Sequence, residues 1–384
     1  MTRSRSLALA ALLLLVAVVS ALMVFRPLDF LTREVPPIEA VTVERVVLDA
    51  GGITVHLRGD GSQPVNIAQV QIDGAYWRFE TVPPGPVGRL ATAVIRIPYP
   101  WMEGATHELV FVTASGITVP HTIEVAVPTP AFGAGQLGAY ALIGLLVGVV
   151  PVALGTLFYP SLSRMGREGL GFVLSLTVGL LVFLLLDTIA TGLGAAAEAP
   201  GALGSVEAFW LVLLLTTVGL LLAGRWSGGA PEGPRLAFFV ALGIGLHNLG
   251  EGLAIGAAFT AGEVALATFL VVGFMLHNFT EGIGIAAPLV GHRPRLRLFV
   301  ALVALAGLPT VPGAWVGAFA VTPFWTAISF AVAAGAILQV VIELGAYLCR
   351  LAGRTGGNWI SPANAAGLAS GIAIMYGTAL LVTL

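Results

Sequence analysis

The chain has 384 residues, of which 57% are hydrophobic and 10% are charged. Soluble proteins carry about 25% charged residues, so this composition excludes an ordinary soluble fold and indicates a membrane protein. The formal net charge of -2, with no basic block, argues against a nucleic-acid partner. The single cysteine, Cys349, excludes a disulfide framework.

The N-terminal segment, residues 1–26, contains a short apolar run. Arg3 and Arg5 precede the uncharged stretch Leu7–Phe25, which approaches the roughly 20 residues needed to cross a bilayer. A cleaved signal peptide has a shorter apolar core, about 7–15 residues, and a small-residue cleavage site. We therefore expect an uncleaved signal anchor, with a cleaved signal peptide as the alternative. Both imply that the following segment is exported.

Residues 27–130 change to a period of two. Ile53, Val55 and Leu57 alternate with polar residues, and Leu109 and Phe111 repeat the pattern. Turns rich in Gly and Pro separate the alternating runs. Several short strands at this spacing predict an extracytoplasmic β-sandwich domain.

The predicted β-domain contains three histidines, His56, His107 and His121. They suggest a copper site, but a blue-copper centre also needs a thiolate, and the domain has no cysteine. His56 falls on the polar side of its predicted strand. We therefore expect all three to be solvated surface residues.

The third region, residues 131–384, predicts a bundle of eight membrane-spanning helices. Its apolar segments lie near 137–158, 170–190, 206–223, 237–259, 264–290, 298–320, 324–349 and 363–384. Arginines occur in every second connection, whereas 191–205, 260–263 and 321–323 contain none. By the positive-inside rule, the arginine-bearing connections and the uncleaved N-terminus are cytoplasmic. This places the β-domain and the C-terminus outside, in a multi-pass protein of the cell (inner) membrane.

Leaving aside Glu207 at the edge of the third span, six His, Asp or Glu residues fall inside the predicted spans, where a charge is costly. They are Asp187, His247, Glu251, His277, Glu281 and Glu343. Four of them belong to the pattern His-Asn-x-x-Glu-Gly, which begins at His247 and again at His277. His and Glu at i and i+4 lie one turn apart on one helix face. Together with Asn248 and Asn278, the pattern predicts a convergence of imidazoles, carboxylates and amide oxygens near the membrane midplane. Such donors suit zinc, and also iron(II), manganese or cadmium.

The doubled motif resembles the signature of the ZIP (ZRT/IRT-like protein) metal transporters. The resemblance covers roughly residues 137–384 and extends to Glu343 in the seventh helix and to Gly371–Leu384 in the eighth. It implies transport of a divalent metal, with zinc expected, toward the cytoplasm, by helix groups packed as an inverted repeat. The metal ligands that it implies are His247, Asn248, Glu251, His277, Asn278 and Glu281. Glu343 and Asp187 are candidate accessory groups for metal exit or proton uptake, or else packing positions.

The chain departs from the family pattern at several points. The family often has Pro before the Glu of each motif, where this chain has Gly250 and Thr280; Thr280 can bond back to the preceding turn. In the sixth helix Thr310 stands where some members supply another Glu, which favours one metal over two. The β-domain lies outside the resemblance.

Two further features bear on transport. We expect the metal to enter past Glu263. The paired glycines Gly144/Gly148 and Gly313/Gly317 predict that helices approach each other closely.

Two other functions stay open. An intramembrane metal-dependent hydrolase would use the same ligands to activate water, although the sequence has no HExxH motif. A metal sensor would receive its signal in the β-domain. We expect a transporter rather than an enzyme, with the lipid bilayer and metal ions as partners and a homodimer as one option.

Overall fold

The computed structural model describes residues 39–226, 228–320, 322–353 and 359–383, together with 14–15, 17–18 and 20–21. The described residues between 14 and 21 are helical. The rest of the predicted anchor, 1–26, and residues 27–38 of the predicted β-domain lie outside the described residues.

A β-domain follows, built from two four-stranded sheets. Its strands are β1 Val41–Asp49, β2 Gly52–Gly59, β3 Ile67–Ile72, β4 Ala75–Trp77, β5 Glu80–Val82, β6 Thr92–Ile97, β7 His107–Thr113 and β8 Thr118–Ile123. The sheet orders are β1-β2-β6-β5 and β4-β3-β7-β8. The predicted alternation is confirmed, because Ile53, Val55 and Leu57 from one sheet share a core with Leu109 and Phe111 from the other.

The histidines of this domain correct one expectation. His107 is only 4% exposed, so the prediction of a surface residue is wrong for it. As the first residue of β7, its side chain points to the same face as the buried Leu109, because side chains alternate along a strand. Its Nδ1 lies 2.8 Å from Oδ2 of Asp73. His56 and His121 are half-buried on β2 and β8, and within the described ranges no group of metal-type ligands joins the three histidines.

Among the described residues, eight helices are long and apolar enough to cross a membrane. These candidate spans are α1 Ala134–Leu162, α2 Arg167–Glu198, α3 Gly201–Arg225, α4 Gly233–Thr260, α5 Val264–Leu289, α6 Leu296–Phe319, α7 Pro323–Gly353 and α8 Pro362–Leu380. The chain is therefore mostly helical, as expected for a polytopic membrane protein.

Several of these helices are irregular. α1 contains a π-helical turn at Leu145–Val149, and α6 is interrupted between Gly307 and Thr310. α3 begins with the 3-10 turn Gly201–Leu203, and α5 ends with another, Ala287–Leu289. The last helix continues to Thr383. The π turn and the break in α6 both adjoin the motif residues described below.

α2 is longer than predicted. The predicted span ended near residue 190, whereas the helix continues to Glu198. The added turns are rich in Ala and Gly, and Ala199 is extended because it precedes Pro200. Glu198 is thereby placed on a helix end rather than in a loop.

The helices form two groups by their main packing contacts. In the first group α4 packs against α5 and α6, and α1 packs against α5 and α6. In the second, α2 packs against α7 and α8, and α7 also packs against α3. The principal contact between the groups is that of α4 with α7.

Close backbone contact within the first group confirms the predicted role of the glycine pairs. A Cβ at Gly313 or Gly317 of α6 would overlap the carbonyl oxygens of Leu249 and Leu253 of α4. In α1, Gly144 lies against the backbone of Val311. Glycine therefore allows α4, α6 and α1 to approach more closely than any side chain would permit.

The two ends of the bundle differ in charge. The connections α2–α3, α4–α5 and α6–α7, which carry no arginine, lie on the side of the β-domain, since Asp60 contacts Gly201 and Arg45 contacts Phe319. We call this side the Arg-free face. The arginines of the bundle lie in the other connections or at the helix ends that adjoin them, and they define the Arg-bearing face.

Candidate metal centre

The two repeated motifs meet at the interface between α4 and α5. α4 and α5 are joined by a short turn and pack side by side. The six predicted ligands are all buried: His247, Asn248, Glu251, His277, Asn278 and Glu281. The i, i+4 spacing places His and Glu of each motif on one face, and both faces are enclosed by neighbouring helices.

Glu251 is the centre of this cluster. Its Oε1 lies 3.2 Å from Nε2 of His247, one turn away on the same helix. The same oxygen is hydrogen-bonded to Nε2 of His277 on α5. Its second oxygen, Oε2, accepts a hydrogen bond of 3.0 Å from Nδ2 of Asn278. A single carboxylate therefore ties both motifs together.

The two asparagines are held by irregular turns of neighbouring helices. Nδ2 of Asn278 also donates to the carbonyl oxygen of Val147 in the π turn of α1, at 3.1 Å. Nδ2 of Asn248 donates to the carbonyl oxygen of Ala306, just before the break in α6, at 3.0 Å. The amide oxygens of both asparagines are buried and accept no hydrogen bond. The amide group of each asparagine is thus oriented by a backbone carbonyl of a neighbouring helix.

Glu281 stands apart from the hydrogen-bonded cluster. It is 2% exposed, and neither of its carboxylate oxygens accepts a hydrogen bond. It lies close enough to Glu251 for the two carboxylates to repel each other. Burying an ionised carboxylate without a partner is costly, so a nearby cation or a proton would stabilise it.

Three of the six predicted ligands converge closely. Ligand atoms of His247, Glu251 and His277 all lie within 4.8 Å of one another, and the two imidazole centroids are 6.4 Å apart. Glu281 is not part of this trio. Asn278 contacts the trio through Glu251, whereas Asn248 is bonded to the carbonyl oxygen of Ala306. Two imidazole nitrogens and a carboxylate oxygen form a donor set that suits a divalent cation such as zinc.

A cavity leads to this trio from the Arg-free face. It has a volume of about 580 Å³ and reaches both His247 and Glu251. Its wall includes Glu198 at the end of α2 and Glu263 at the start of α5. We call this cavity the vestibule; it connects the metal-type ligands with the side that bears the β-domain.

Toward the Arg-bearing face, the same interface is filled by apolar side chains. Leu236 and Val240 of α4, Leu289 of α5, and Leu344 and Leu348 of α7 belong to one buried cluster. This packing lies between the trio and the arginine-bearing ends of the helices. The vestibule thus reaches the site from the Arg-free face, and buried apolar side chains pack on its other side.

The two candidate accessory residues occupy different places. Asp187 of α2 lines the vestibule and is close enough to His247 and His277 to interact electrostatically with both. Glu343 of α7 belongs neither to the trio nor to the lining of the vestibule and is 1% exposed. Its Oε1 lies 3.3 Å from Nη2 of Arg225 at the end of α3, although neither oxygen accepts a hydrogen bond.

Sequence reasoning missed Gln339. It lies one turn before Glu343 on α7, is buried, and has no hydrogen-bond partner at either amide atom. A Cβ built at Gly243, one turn before His247, would lie 2.9 Å from its Oε1. An uncharged polar residue in an apolar span at i−4 from a glutamate was the available signal. Thr280 behaves as predicted, since its Oγ1 donates to the carbonyl oxygen of His277 at 2.6 Å.

Comparisons with known proteins add no family assignment. No family model matches the chain, and a search of the curated proteins finds no match.

Proposed function

We propose that the protein transports divalent metal cations across a membrane through the site formed by α4 and α5, with zinc as the expected substrate. The observation that carries this proposal is the buried Glu251 carboxylate, which joins the imidazoles of His247 and His277. A cation bound there replaces these hydrogen bonds with coordination by the same three atoms. The resemblance of the doubled motif to the ZIP transporters supports the same assignment.

The access route supports transport rather than static binding. The vestibule opens the site to the Arg-free face, and buried apolar side chains, among them Leu236, Val240 and Leu344, pack on the other side. Alternating access requires a site that is open to one side at a time and helix groups that move against each other. The division into two helix groups, in contact mainly through α4 and α7, suits such a movement.

The charges along the vestibule favour a cationic substrate. Asp187, Glu198 and Glu263 line it, and Glu251 lies at its inner end. A cleft walled by acidic groups concentrates cations and raises their rate of entry. By the positive-inside rule, the Arg-bearing face is cytoplasmic, so the metal moves inward. Iron(II), manganese and cadmium are alternative substrates of the same donor set.

Uptake of zinc into vesicles that contain the purified protein tests the proposal. Glu251→Ala and Glu281→Ala should abolish saturable uptake, because Glu251 joins the two imidazoles and Glu281 is a second buried carboxylate near Glu251. Glu168→Gln is the matched control, since Glu168 is an exposed carboxylate at the Arg-bearing end of α2. Uptake that is unchanged in both alanine variants would contradict the site assignment.

The same preparations separate the two rival functions. A metal-dependent hydrolase would release product from a peptide or ester substrate in detergent, without any gradient. A sensor would bind metal with neither uptake nor turnover. Metal analysis of purified protein and of loaded vesicles by inductively coupled plasma mass spectrometry would identify the preferred ion.

A further inference from the structure

We propose that the β-domain clamps the two helix groups together at the Arg-free face, with Asp60 as the contact that must open during each transport cycle. The proposal rests on the proposed function, because it presupposes that the two groups move. Its basis is that one rigid domain touches both groups on either side of the vestibule.

The β-domain is joined to the first helix group by several contacts. Nη1 of Arg45 donates to the carbonyl oxygen of Phe319 at the end of α6. A β-bulge between Val43 and Arg45 shifts the register of β1 at this point, and bulges typically redirect side chains. Val127 packs against Gly262 in the α4–α5 turn. The chain itself also continues from the β-domain into α1.

The second helix group is contacted through Asp60. Its Oδ2 accepts the backbone N–H of Gly201 at 3.0 Å, and its Oδ1 accepts that of Ala202 at 2.7 Å. These amides belong to the 3-10 turn at the start of α3, which Pro200 precedes. The first amides of a helical turn lack partners within the turn. Here the carboxylate of Asp60, from the β-domain, is the partner of both amides.

These contacts straddle the vestibule. Its wall is built by α2 and α7 of the second group and by α4 and α5 of the first. Closing the vestibule moves the α2–α3 turn relative to Phe319 and Gly262. A β-domain fixed at both places resists that movement. The covalent link and the broader contact keep the β-domain with the first group, so the two hydrogen bonds that Asp60 accepts from Gly201 and Ala202 are the ones that open.

A reversible cross-link tests whether Asp60 and Gly201 separate. In a Cys349→Ser background, Asp60→Cys and Gly201→Cys would form a disulfide across the contact. A Cβ at Gly201 meets nothing nearer than Oδ2 of Asp60 at 3.7 Å, so the second cysteine fits. The single-cysteine variants and the reduced double variant are the controls.

We expect the cross-linked protein to take up zinc at least tenfold more slowly than the same protein after reduction. Equal uptake in the two states would overturn the clamp, because the two residues would then never need to separate. Failure of the disulfide to form would contradict the contact itself. If no form of the protein takes up metal, the transport proposal fails. The spin-label measurement described next then tests by itself whether Asp60 holds the β-domain to the second helix group.

Spin labels report the clamp without any transport. Labels at Glu103→Cys in the β-domain and Glu207→Cys at the start of α3, in the Cys349→Ser background, measure the distance between the domain and the second helix group. Asp60→Ala should broaden a narrow distance distribution or shift it. The matched control is Asp49→Ala, because the Asp49 carboxylate accepts a local bond, from the N–H of Gly51. Identical distributions with and without the Asp60 carboxylate would refute the clamp.

Discussion

Glu251 of α4 and His277 of α5 are hydrogen-bonded across the interface between the two helices that carry the repeated motif. The pair is buried, and the same Glu251 oxygen also contacts His247. The proposed binding of a cation and the hydrogen bond between the two helices therefore involve the same carboxylate. The change in melting temperature on adding metal is therefore a direct test of binding at this site.

Zinc should raise the melting temperature of the purified protein, and Glu251→Gln should abolish the rise. A ligand at about 100 times its dissociation constant stabilises the folded state by about 2.7 kcal/mol. The glutamine keeps the shape of the side chain but replaces one carboxylate oxygen with an amide that donates instead of accepting. A thermal unfolding series in detergent, with zinc and with a chelator, measures the difference. Glu168→Gln should keep the full rise, and a retained rise in Glu251→Gln would exclude the trio as the binding site.

The two motif asparagines should differ in their effect on metal binding. Asn278→Ala removes a hydrogen bond to Glu251 as well as one to the Val147 carbonyl oxygen. Asn248→Ala removes only the bond to the carbonyl oxygen of Ala306. Each loss of a buried partner should cost about 1–3 kcal/mol of unfolding free energy.

Only Asn278→Ala should also lower zinc affinity in a competition titration against a chelating dye, by roughly 10–100-fold, as for other groups that orient a metal ligand. The measurement uses the two alanine variants side by side, each being the other's control. Equal affinities would show that the bond from Asn278 does not position Glu251.

Local spacing accounts for what the sequence predicted well. The i, i+4 relation of His247 to Glu251 depends on one helix alone, and the strand alternation at Ile53 and Val55 depends on one strand. The separation of Glu281 from the trio depends instead on how α5 is rotated against α4, and no local pattern reports that rotation. The contact of Asp60 with Gly201 joins residues 141 positions apart.

His107 is a different case, because its burial could have been predicted from the sequence. It shares the parity of Leu109 and Phe111, the two apolar residues that defined the strand. A histidine at an inward position needs a partner, and Asp73 supplies it. The π turn at Leu145–Val149, in contrast, carries no local signal, since Leu, Val and Gly occur throughout α1.

Gly252→Ala should destabilise the protein through the contact between α4 and α6. A Cβ at Gly252 would overlap the carbonyl oxygen of Thr310, which is backbone and cannot turn away. Overpacking of this kind costs about 1–3 kcal/mol. The control is Gly273→Ala in α5, where nothing lies within 4 Å and alanine should stabilise the helix by about 0.5–1 kcal/mol. Melting temperatures that move the same way in both variants would contradict the tight packing of α4 on α6.

The stability of the full chain should fall as the pH drops below the ordinary pKa of histidine, and His121 should account for part of the fall. Burial lowers the pKa of the His121 imidazole from its ordinary value of 6.5. The folded state then binds a proton less readily than the unfolded state. The resulting stability is fully present above pH 6.5 and is lost as the pH falls through the lower folded pKa.

The side chain of His121 lines a cavity of about 290 Å³ between the β-domain and the α4–α5 turn, so its protonation places a charge where the two parts meet. His121→Gln cannot take up this proton. Its melting temperature should therefore fall less than that of the wild type between about pH 7 and pH 5. At pH 8 the imidazole is neutral in both states, which makes the difference between the two proteins at that pH the baseline. Parallel melting curves for both proteins across the whole range would show that His121 titrates alike in the folded and unfolded states.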